Sequence, residues 1–184
     1  NICAEMCCDQ NAKTLQNNEL SGFWNSIEIL VTSRQIWSEI DYRIKVGNGR
    51  ELKIKESKNP IILQQGKTYL FMSFNRIAQL YRKAARESDV KSIPPETLSF
   101  YLTHSSEFMG TVGSMRFKVP DTPQGYSASD SNKSKVTTAM IFDYDKIREL
   151  YGIDINVISG AAYEEEEEDR SPESYPVINF SDND

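Results

Sequence analysis

The chain has few of the residues that build metal or disulfide sites. Its 184 residues include three cysteines and one histidine. Cys3, Cys7 and Cys8 fall within one short segment, which does not form a disulfide framework. Because no CxxC spacing exists, a zinc site built from these thiols and His104 is disfavoured. We expect reduced thiols, a cytoplasmic location, and neither a metal nor a cofactor.

Long apolar runs are also missing. No run approaches the roughly 20 apolar residues that cross a bilayer, and the first residues lack the basic-then-apolar pattern of a secretion signal. The chain begins at Asn1 rather than Met, so we expect a piece of a longer protein or a processed one. With 39% hydrophobic and 10% aromatic residues, it can bury the core of one domain of about 150 residues, followed by a tail.

A complete phosphate-binding P-loop is absent from the sequence. Gln65-Gly66-Lys67-Thr68 matches the end of that motif, but Ile61 stands where the motif requires a glycine. The motif also requires a helix after the lysine, whereas residues 69–74 are strand-like. We therefore predict a hairpin turn at this place.

No arrangement of acids, bases and nucleophiles predicts catalysis. Asp143 and Asp145 fit the N-cap and first turn of a helix over residues 144–151 better than they fit a metal site. His104 has no Cys or Ser partner in a motif, and a lone histidine near a helix end is usually a surface or C-terminal group. The sequence therefore predicts a non-enzyme. An active site would need His104, Asp143 and Asp145 around one pocket.

Charge is plentiful, and it is segregated along the chain. The net charge is −6, yet residues 43–91 carry +8 and residues 164–184 carry −8. A basic middle and an acidic end indicate a module that binds a polyanion. The acidic end would compete with that polyanion for the basic residues. Six consecutive acids over residues 164–169 cannot pack, so we predict a disordered acidic tail over residues 161–184. The alternative role of this tail is partner docking through its apolar side chains, Tyr175, Val177, Ile178 and Phe180.

The first half of the chain changes from a helical to a strand period. Residues 1–20 predict a helix that can continue from a preceding domain, and Ser21 is a candidate cap for the next helix. Apolar and basic residues then alternate on both sides of the turn Gly47-Asn48-Gly49. This pattern predicts a β-hairpin with one apolar face and one basic face. The basic face carries four candidate phosphate contacts of a nucleic acid: Arg43, Lys45, Lys53 and Lys55.

The second half has the element order of a winged helix. A helix over residues 75–88 is followed by a turn, a helix over 95–104, and strands over 108–119 and 136–142. A loop over residues 120–135 joins the two strands. Residues 153, 155 and 157 predict a last strand. The expected fold is α+β, a winged-helix-like domain over residues 21–160 with an additional N-terminal helix and β-hairpin.

In a winged helix the second helix enters a groove while the wing and nearby basic groups contact phosphates. The candidate contacts on the second helix are Ser99, Thr103 and His104, and those around the wing are Lys118, Lys133 and Lys135. The candidate phosphate contacts on the first helix are Arg76, Arg82, Lys83 and Arg86. Phe100 and Tyr101 are expected in the core. Because the second helix has no Lys or Arg and has Glu96 and Glu107 at its ends, we expect backbone-directed binding.

Three stretches are familiar in combination: residues 23–30 with 41–44, residues 95–102 with 108–110, and residues 138–146. Together they resemble the C-terminal region of primase–helicase-like replication proteins of bacterial mobile elements and phages, especially in Bacteroidota. The similarity covers about residues 21–154. The family's ATP and metal residues belong to other domains. The resemblance implies a non-catalytic accessory domain that engages DNA, rather than RNA, or positions a neighbouring helicase or primase.

Two functions therefore stay open at this point. The first is nucleic-acid binding by an accessory domain of a replication or mobile-element protein, mainly through phosphates. The second is a protein-interaction module that docks a partner, such as another replication protein, through its acidic peptide tail. No membrane partner is expected.

Overall fold

The computed structural model describes residues 2–119 and 134–156, and the side chains from residue 13 onward. These residues form four helices and six strands in an α+β arrangement, which confirms the predicted class. The helices are α1 (Ile2–Thr32), α2 (Phe74–Glu87), α3 (Pro95–Thr103) and α4 (Tyr144–Tyr151). The strands are β1 (Tyr42–Val46), β2 (Glu51–Leu52), β3 (Ile61–Ile62), β4 (Thr68–Met72), β5 (Phe108–Lys118) and β6 (Ser134–Asp143).

Helix α1 is continuous through Ser21, so the predicted break at that residue is wrong. From Leu20 onward, buried apolar residues recur at three- and four-residue spacing across Ser21, so Ser21 lies within the helix rather than at its start. The stripe that they form packs into the main core and consists of Leu20, Phe23, Trp24, Ile27, Leu30 and Val31.

The main sheet has the strand order β1-β4-β6-β5, and all its neighbouring strands are antiparallel. In the two central strands, β4 and β6, alternate side chains point to opposite faces of the sheet and pack into two different cores. One face carries Leu70, Met72, Met140 and Phe142 into the main core beneath the helices. The opposite face carries Tyr69, Phe71, Ala139 and Ile141 into a second, smaller core.

The predicted hairpin around Gly47-Asn48-Gly49 is wrong in its pairing. Strand β1 pairs with β4, and β2 pairs with β3. Between the two pairs, Gly47 N–H donates to Lys67 O at 2.7 Å and Gly49 N–H donates to Leu63 O at 2.8 Å. Residues 42–52 and 61–72 thus form one long irregular hairpin whose tip is residues 53–60. The physical reason is that β4 is apolar on both faces and needs a paired strand on each side.

The hairpin tip folds over the second core. Lys55 N–H donates to Thr111 O at 2.9 Å, and Thr111 N–H donates to the Glu56 carboxylate at 2.8 Å. Gly110 adopts φ +145°, and a Cβ there would lie 2.9 Å from the Ile54 side chain, so glycine permits the close approach. The tip and the β2–β3 pair therefore form a second layer on the sheet.

Strands β5 and β6 form a long pair that curls around the second core. Their register shifts between Phe108 and Gly110 and again between Val112 and Met115. Such bulges increase local bend and twist. At the far end of β5, Lys118 N–H donates to Glu39 O at 2.8 Å. This bond ties the end of β5 to the residues that precede β1.

The predicted helix pair is confirmed, with α2 and α3 joined by residues 88–94 and followed by β5 and β6 in that order. Pro95 opens α3, where its missing N–H costs nothing. The predicted start of α4 is also confirmed, because Asp143 accepts a hydrogen bond from Lys146 N–H at 3.2 Å. Gly152 ends α4 with φ +67°.

The hydroxyl of the buried Tyr144 makes three hydrogen bonds to the residues after α4. Tyr144 OH donates to the Asp154 carboxylate at 2.9 Å and accepts from the N–H groups of Ile155 at 2.8 Å and Asn156 at 3.1 Å. Burial raises the pKa of this hydroxyl above its usual value. The strand predicted from residue 153 is wrong as far as residue 156, because Tyr144 takes the backbone bonds that a neighbouring strand would make. Val157 lies outside the described residues.

Gly47 tests the corrected pairing. A Cβ at Gly47 would collide with the Gln64 carbonyl, because the two halves of the long hairpin lie in direct backbone contact there. We expect Gly47→Ala to lower the free energy of unfolding by about 2 kcal/mol. Gly22→Ala is the matched control, since nothing lies within 4 Å in the exposed middle of α1, and it should raise stability by about 0.5–1 kcal/mol. Urea unfolding measures both, and equal effects of the two substitutions would contradict the pairing.

Candidate nucleic-acid interface

The predicted basic residues lie on two different sides of the main sheet. Helix α2 packs Ile77 and Tyr81 into the main core, so its outer face belongs to the helical side. Tyr42 and Ile44 of β1 also contact that core. Arg43 and Lys45 alternate with them and therefore point to the opposite side, where the hairpin tip carries Lys53 and Lys55.

The outer face of α2 brings three of the predicted cations together. Arg82, Lys83 and Arg86 line a shallow depression of about 380 Å³ with Gln79 and Glu87. Lys83 Nζ lies 3.8 Å from a Glu87 carboxylate oxygen, and both side chains are exposed, so this pair is weak. Among the residues that the structure describes, Arg82 and Arg86 have no ion-pair partner. Lys83 and Arg86 are exposed and Arg82 is half-buried, so this face of α2 offers an anion two guanidinium groups that no carboxylate of the described residues engages.

Arg76, on the same helix, has a structural partner. Its Nε contacts a carboxylate oxygen of Asp41, whose side chain is fully buried. The other carboxylate oxygen accepts from Trp37 N–H at 2.9 Å, and Asp41 O accepts from Ser73 N–H at 2.9 Å. Burial raises the pKa of Asp41, while the Trp37 N–H and Arg76 oppose that rise. A phosphate at Arg76 would compete with this carboxylate.

The cations on the other side of the sheet also make internal contacts. Arg43 Nε lies 2.8 Å from a Glu39 carboxylate oxygen, and its Nη1 donates to Arg116 O at 3.4 Å. Lys55 Nζ donates to Thr138 Oγ1 at 3.1 Å. These contacts hold the hairpin tip and the start of β1 against the curled strands. Lys53 is exposed beside them.

The predicted wing is described only at its base. Lys118 is half-buried at the end of β5, and Lys135 is exposed near the start of β6, where it pairs with Phe117. Lys133 lies outside the described residues. So do the predicted docking side chains of the tail, Tyr175, Val177, Ile178 and Phe180.

Two of the three predicted groove-facing side chains, those of Thr103 and His104, contact backbone carbonyl groups of α3. Thr103 Oγ1 donates to Ser99 O at 2.9 Å and lies 3.1 Å from Phe100 O. The His104 ring Nδ1 lies 2.8 Å from Phe100 O. Ser99 and Thr103 are half-buried, while His104 is exposed. The hydroxyl of Thr103 is therefore largely committed to the helix.

Phe100 is the residue that the sequence prediction misplaced. It was expected in the core, yet 55% of it is exposed. The fully buried pair on α3 is Leu98 and Leu102. A residue halfway between two buried positions four apart lies about 200° from each, so the helical period itself gives the signal that was missed. Tyr101, in contrast, packs against the main core as predicted.

Glu107 does not lie at an end of α3, where it was predicted. The helix ends at Thr103, and Glu107 is buried. Tyr151 OH donates to its carboxylate at 2.9 Å, and burial raises the pKa of that tyrosine. Glu107 O accepts from Asp143 N–H at 2.8 Å. Only Glu96 therefore places negative charge on the outer surface of this helix.

Asp143 and Asp145 face the turn that resembles the end of a P-loop. Lys67 Nζ lies 3.5 Å from an Asp143 carboxylate oxygen, and Thr68 N–H donates to Asp145 at 2.9 Å. Gly66 adopts φ +81° and strand β4 follows, which confirms a turn at this place, although it links β3 to β4 without pairing them. Among the described side chains, those of residues 13–119 and 134–156, no three His, Cys, Asp or Glu are grouped to hold a metal ion.

Comparison with known proteins gives no further identification. No family model, no curated protein and no solved structure matches the chain. In the part of the chain that the structure describes, no helix combines the length and apolar character needed to cross a membrane.

The contact between Arg76 and Asp41 makes a pH-dependent prediction. Arg76→Ala leaves a buried carboxylate without its cation, and we expect a loss of about 2 kcal/mol at pH 7. The pKa of Asp41 would then rise further above its ordinary 3.8. A carboxyl group whose pKa is higher in the folded than in the unfolded protein contributes stability that is fully present below the unfolded pKa. That contribution is lost as the pH rises through the folded pKa. The difference from wild type should therefore grow between pH 4 and 7.

Two controls accompany this measurement by denaturant unfolding. Arg82→Ala, at a half-buried position of α2 without an ion-pair partner among the described residues, should change stability by less than about 0.5 kcal/mol at either pH. Asp41→Asn combined with Arg76→Ala should remove the pH dependence that Arg76→Ala introduces. A loss in Arg76→Ala that is the same at pH 4 and pH 7 would contradict the assigned role.

Proposed function

We propose that this chain is a non-catalytic domain that binds nucleic acid through the phosphate backbone, using the outer face of α2. The observation that carries the proposal is the depression in which Arg82 and Arg86 stand without ion-pair partners beside Lys83. Guanidinium groups match phosphate geometry and bind it with two parallel hydrogen bonds. The place of Arg86 in the last turn of the helix is also favoured by the helix dipole.

The charge of the described residues supports a polyanionic ligand. Residues 2–119 and 134–156 contain nineteen Lys and Arg against sixteen Asp and Glu. The net charge of −6 for the whole chain therefore comes from the remaining residues. An excess of cations among the described residues attracts nucleic acid from a distance and raises the rate of association.

The winged-helix-like layout is part of the proposal. The order α2, α3, β5 and β6 is the one that such domains use, with the second helix and the strand pair at the nucleic acid. Lys118, Lys133 and Lys135 would contact phosphates beside the wing. Because Thr103 is bonded to its own helix and α3 has no Lys or Arg, we infer that binding is directed to the backbone. The sequence resemblance is the reason for proposing DNA as the ligand and a replication or mobile-element protein as the parent of this domain.

Two triple variants test which basic surface binds. Changing Arg82, Lys83 and Arg86 to Gln should lower the affinity for DNA at low salt by about 10- to 100-fold. It should also reduce the salt slope by about 2 to 3, since each lost phosphate contact contributes about 0.9. The matched control changes Lys53, Lys55 and Lys58 of the hairpin tip to Gln and should have a smaller effect. Fluorescence anisotropy titrations with duplex and single-stranded DNA at two salt concentrations measure both variants.

Wild-type chain that shows no salt-dependent binding, even without residues 164–184, would rule out the proposed function. A larger loss from the hairpin-tip variant than from the α2 variant would move the interface to the opposite side of the sheet.

The acidic residues 164–184 should compete with DNA for the cations. We expect their removal to strengthen binding at low salt by about 3- to 30-fold, with the gain vanishing near 1 M salt, where the screening length falls to about 3 Å. A matched variant keeps the length and changes Glu164, Glu165, Glu166, Glu167, Glu168 and Asp169 to Gln and Asn, and it should reproduce the gain. Equal affinity of all three proteins at low salt would assign the tail to solubility or to partner docking.

A further inference from the structure

An aromatic pair stands on the outer surface of α3. The rings of Phe100 and His104 are stacked, with centroids 4.1 Å apart and planes 30° apart. His104 Nδ1 lies 2.8 Å from Phe100 O, which fixes the imidazole ring against the helix. Phe100 remains 55% exposed. The pair is thus a preformed stack with open aromatic surface.

The surroundings of this pair are polar. The outward residues of α3 around Phe100 are Glu96, Ser99, Thr103 and His104. A site for an apolar protein segment would need a ring of further apolar side chains that exclude water. On α3 the neighbouring aromatic side chain is the half-buried Tyr101, whose ring centroid lies 6.2 Å from that of Phe100. The other neighbours are polar, and a ring in such surroundings suits a ligand that is flat and has polar edges.

A cation lies close to the same end of α3. Lys146 Nζ donates to Ser106 O at 3.3 Å, two residues beyond His104, and its side chain is exposed. Cations near a helix C-terminus offset the negative end of its dipole. Here the exposed ammonium group places positive charge at the end of α3 that carries the aromatic pair. The combination of stacked rings and a nearby cation suits a base with its phosphate.

We propose that Phe100, supported by His104, stacks on an unpaired nucleobase, so that the ligand of this domain is a single strand. This inference rests on the proposed function and names the form of nucleic acid. In a duplex the faces of the bases are covered by their neighbours, whereas an unpaired base can extend the existing stack. Because every base has an aromatic face, the contact adds affinity without sequence preference, which agrees with an α3 surface that has no Lys or Arg.

Phe100→Leu and Phe100→Tyr separate stacking from apolar contact. Leucine keeps an apolar side chain and removes the aromatic face, while tyrosine keeps the face. With the full chain, we expect Phe100→Leu to weaken binding to oligothymidylate by about 10-fold. Phe100→Tyr should stay within about 2-fold of wild type, and binding to a duplex of the same length should change little in both variants.

The control is Leu150→Ala on α4, where an equally exposed apolar residue is removed from another helix. It should leave oligothymidylate binding unchanged. In a second readout, an oligonucleotide that contains 2-aminopurine should be quenched by wild type and by Phe100→Tyr, and less by Phe100→Leu. Circular dichroism and thermal unfolding establish that the variants fold.

The outcomes separate this inference from the proposed function. If the α2 triple variant loses binding but Phe100→Leu binds oligothymidylate like wild type, the stacking site is wrong and the phosphate interface stands. An apolar protein partner at Phe100 then becomes the better assignment. If wild type binds neither probe, both proposals fail. Equal losses of duplex and oligothymidylate binding in Phe100→Leu would also overturn the single-strand assignment.

Discussion

Strand β4 is buried on both faces, and most of the architecture depends on that burial. Its residues Tyr69 and Phe71 enter one core, while Leu70 and Met72 enter the other. A strand of this kind needs hydrogen-bonded neighbours on both edges and a covering layer on both faces. Strands β1 and β6 provide the edges. The helices cover one face, and the hairpin tip with the β2–β3 pair covers the other.

The same constraint decides where the cations lie. Since β1 is an edge strand with Tyr42 and Ile44 toward the helices, Arg43 and Lys45 must face the side of the hairpin tip. The outer face of α2 lies on the other side of the sheet. A basic stretch that is continuous in sequence is therefore divided into two surfaces. On each surface some cations form ion pairs within the protein, as Arg76 does with Asp41 and Arg43 does with Glu39.

Much of the fold was predictable because its signals are local. The capping of α4 by Asp143, the proline that opens α3 and the glycine that ends α4 each depend on a few adjacent residues. The pairing of β1 was not predictable from its turn residues, because the partner of a strand is chosen by which pairing buries more apolar surface. Of the candidate site, the exposed cations of α2 were predicted, while Phe100 was missed although the spacing of Leu98 and Leu102 indicated its direction.

The sequence by itself determined the α+β class, the helix pair, the charge of each segment and the lack of a motif for catalysis. These follow from residue type and short spacing. The tertiary structure decided which cations are engaged, which strand pairs with which, and that Glu107 is buried while Phe100 is exposed. Such outcomes depend on contacts between residues far apart in the chain. For example, Asp41 and Arg76 are brought together only when β4 and α2 pack beside the residues that precede β1.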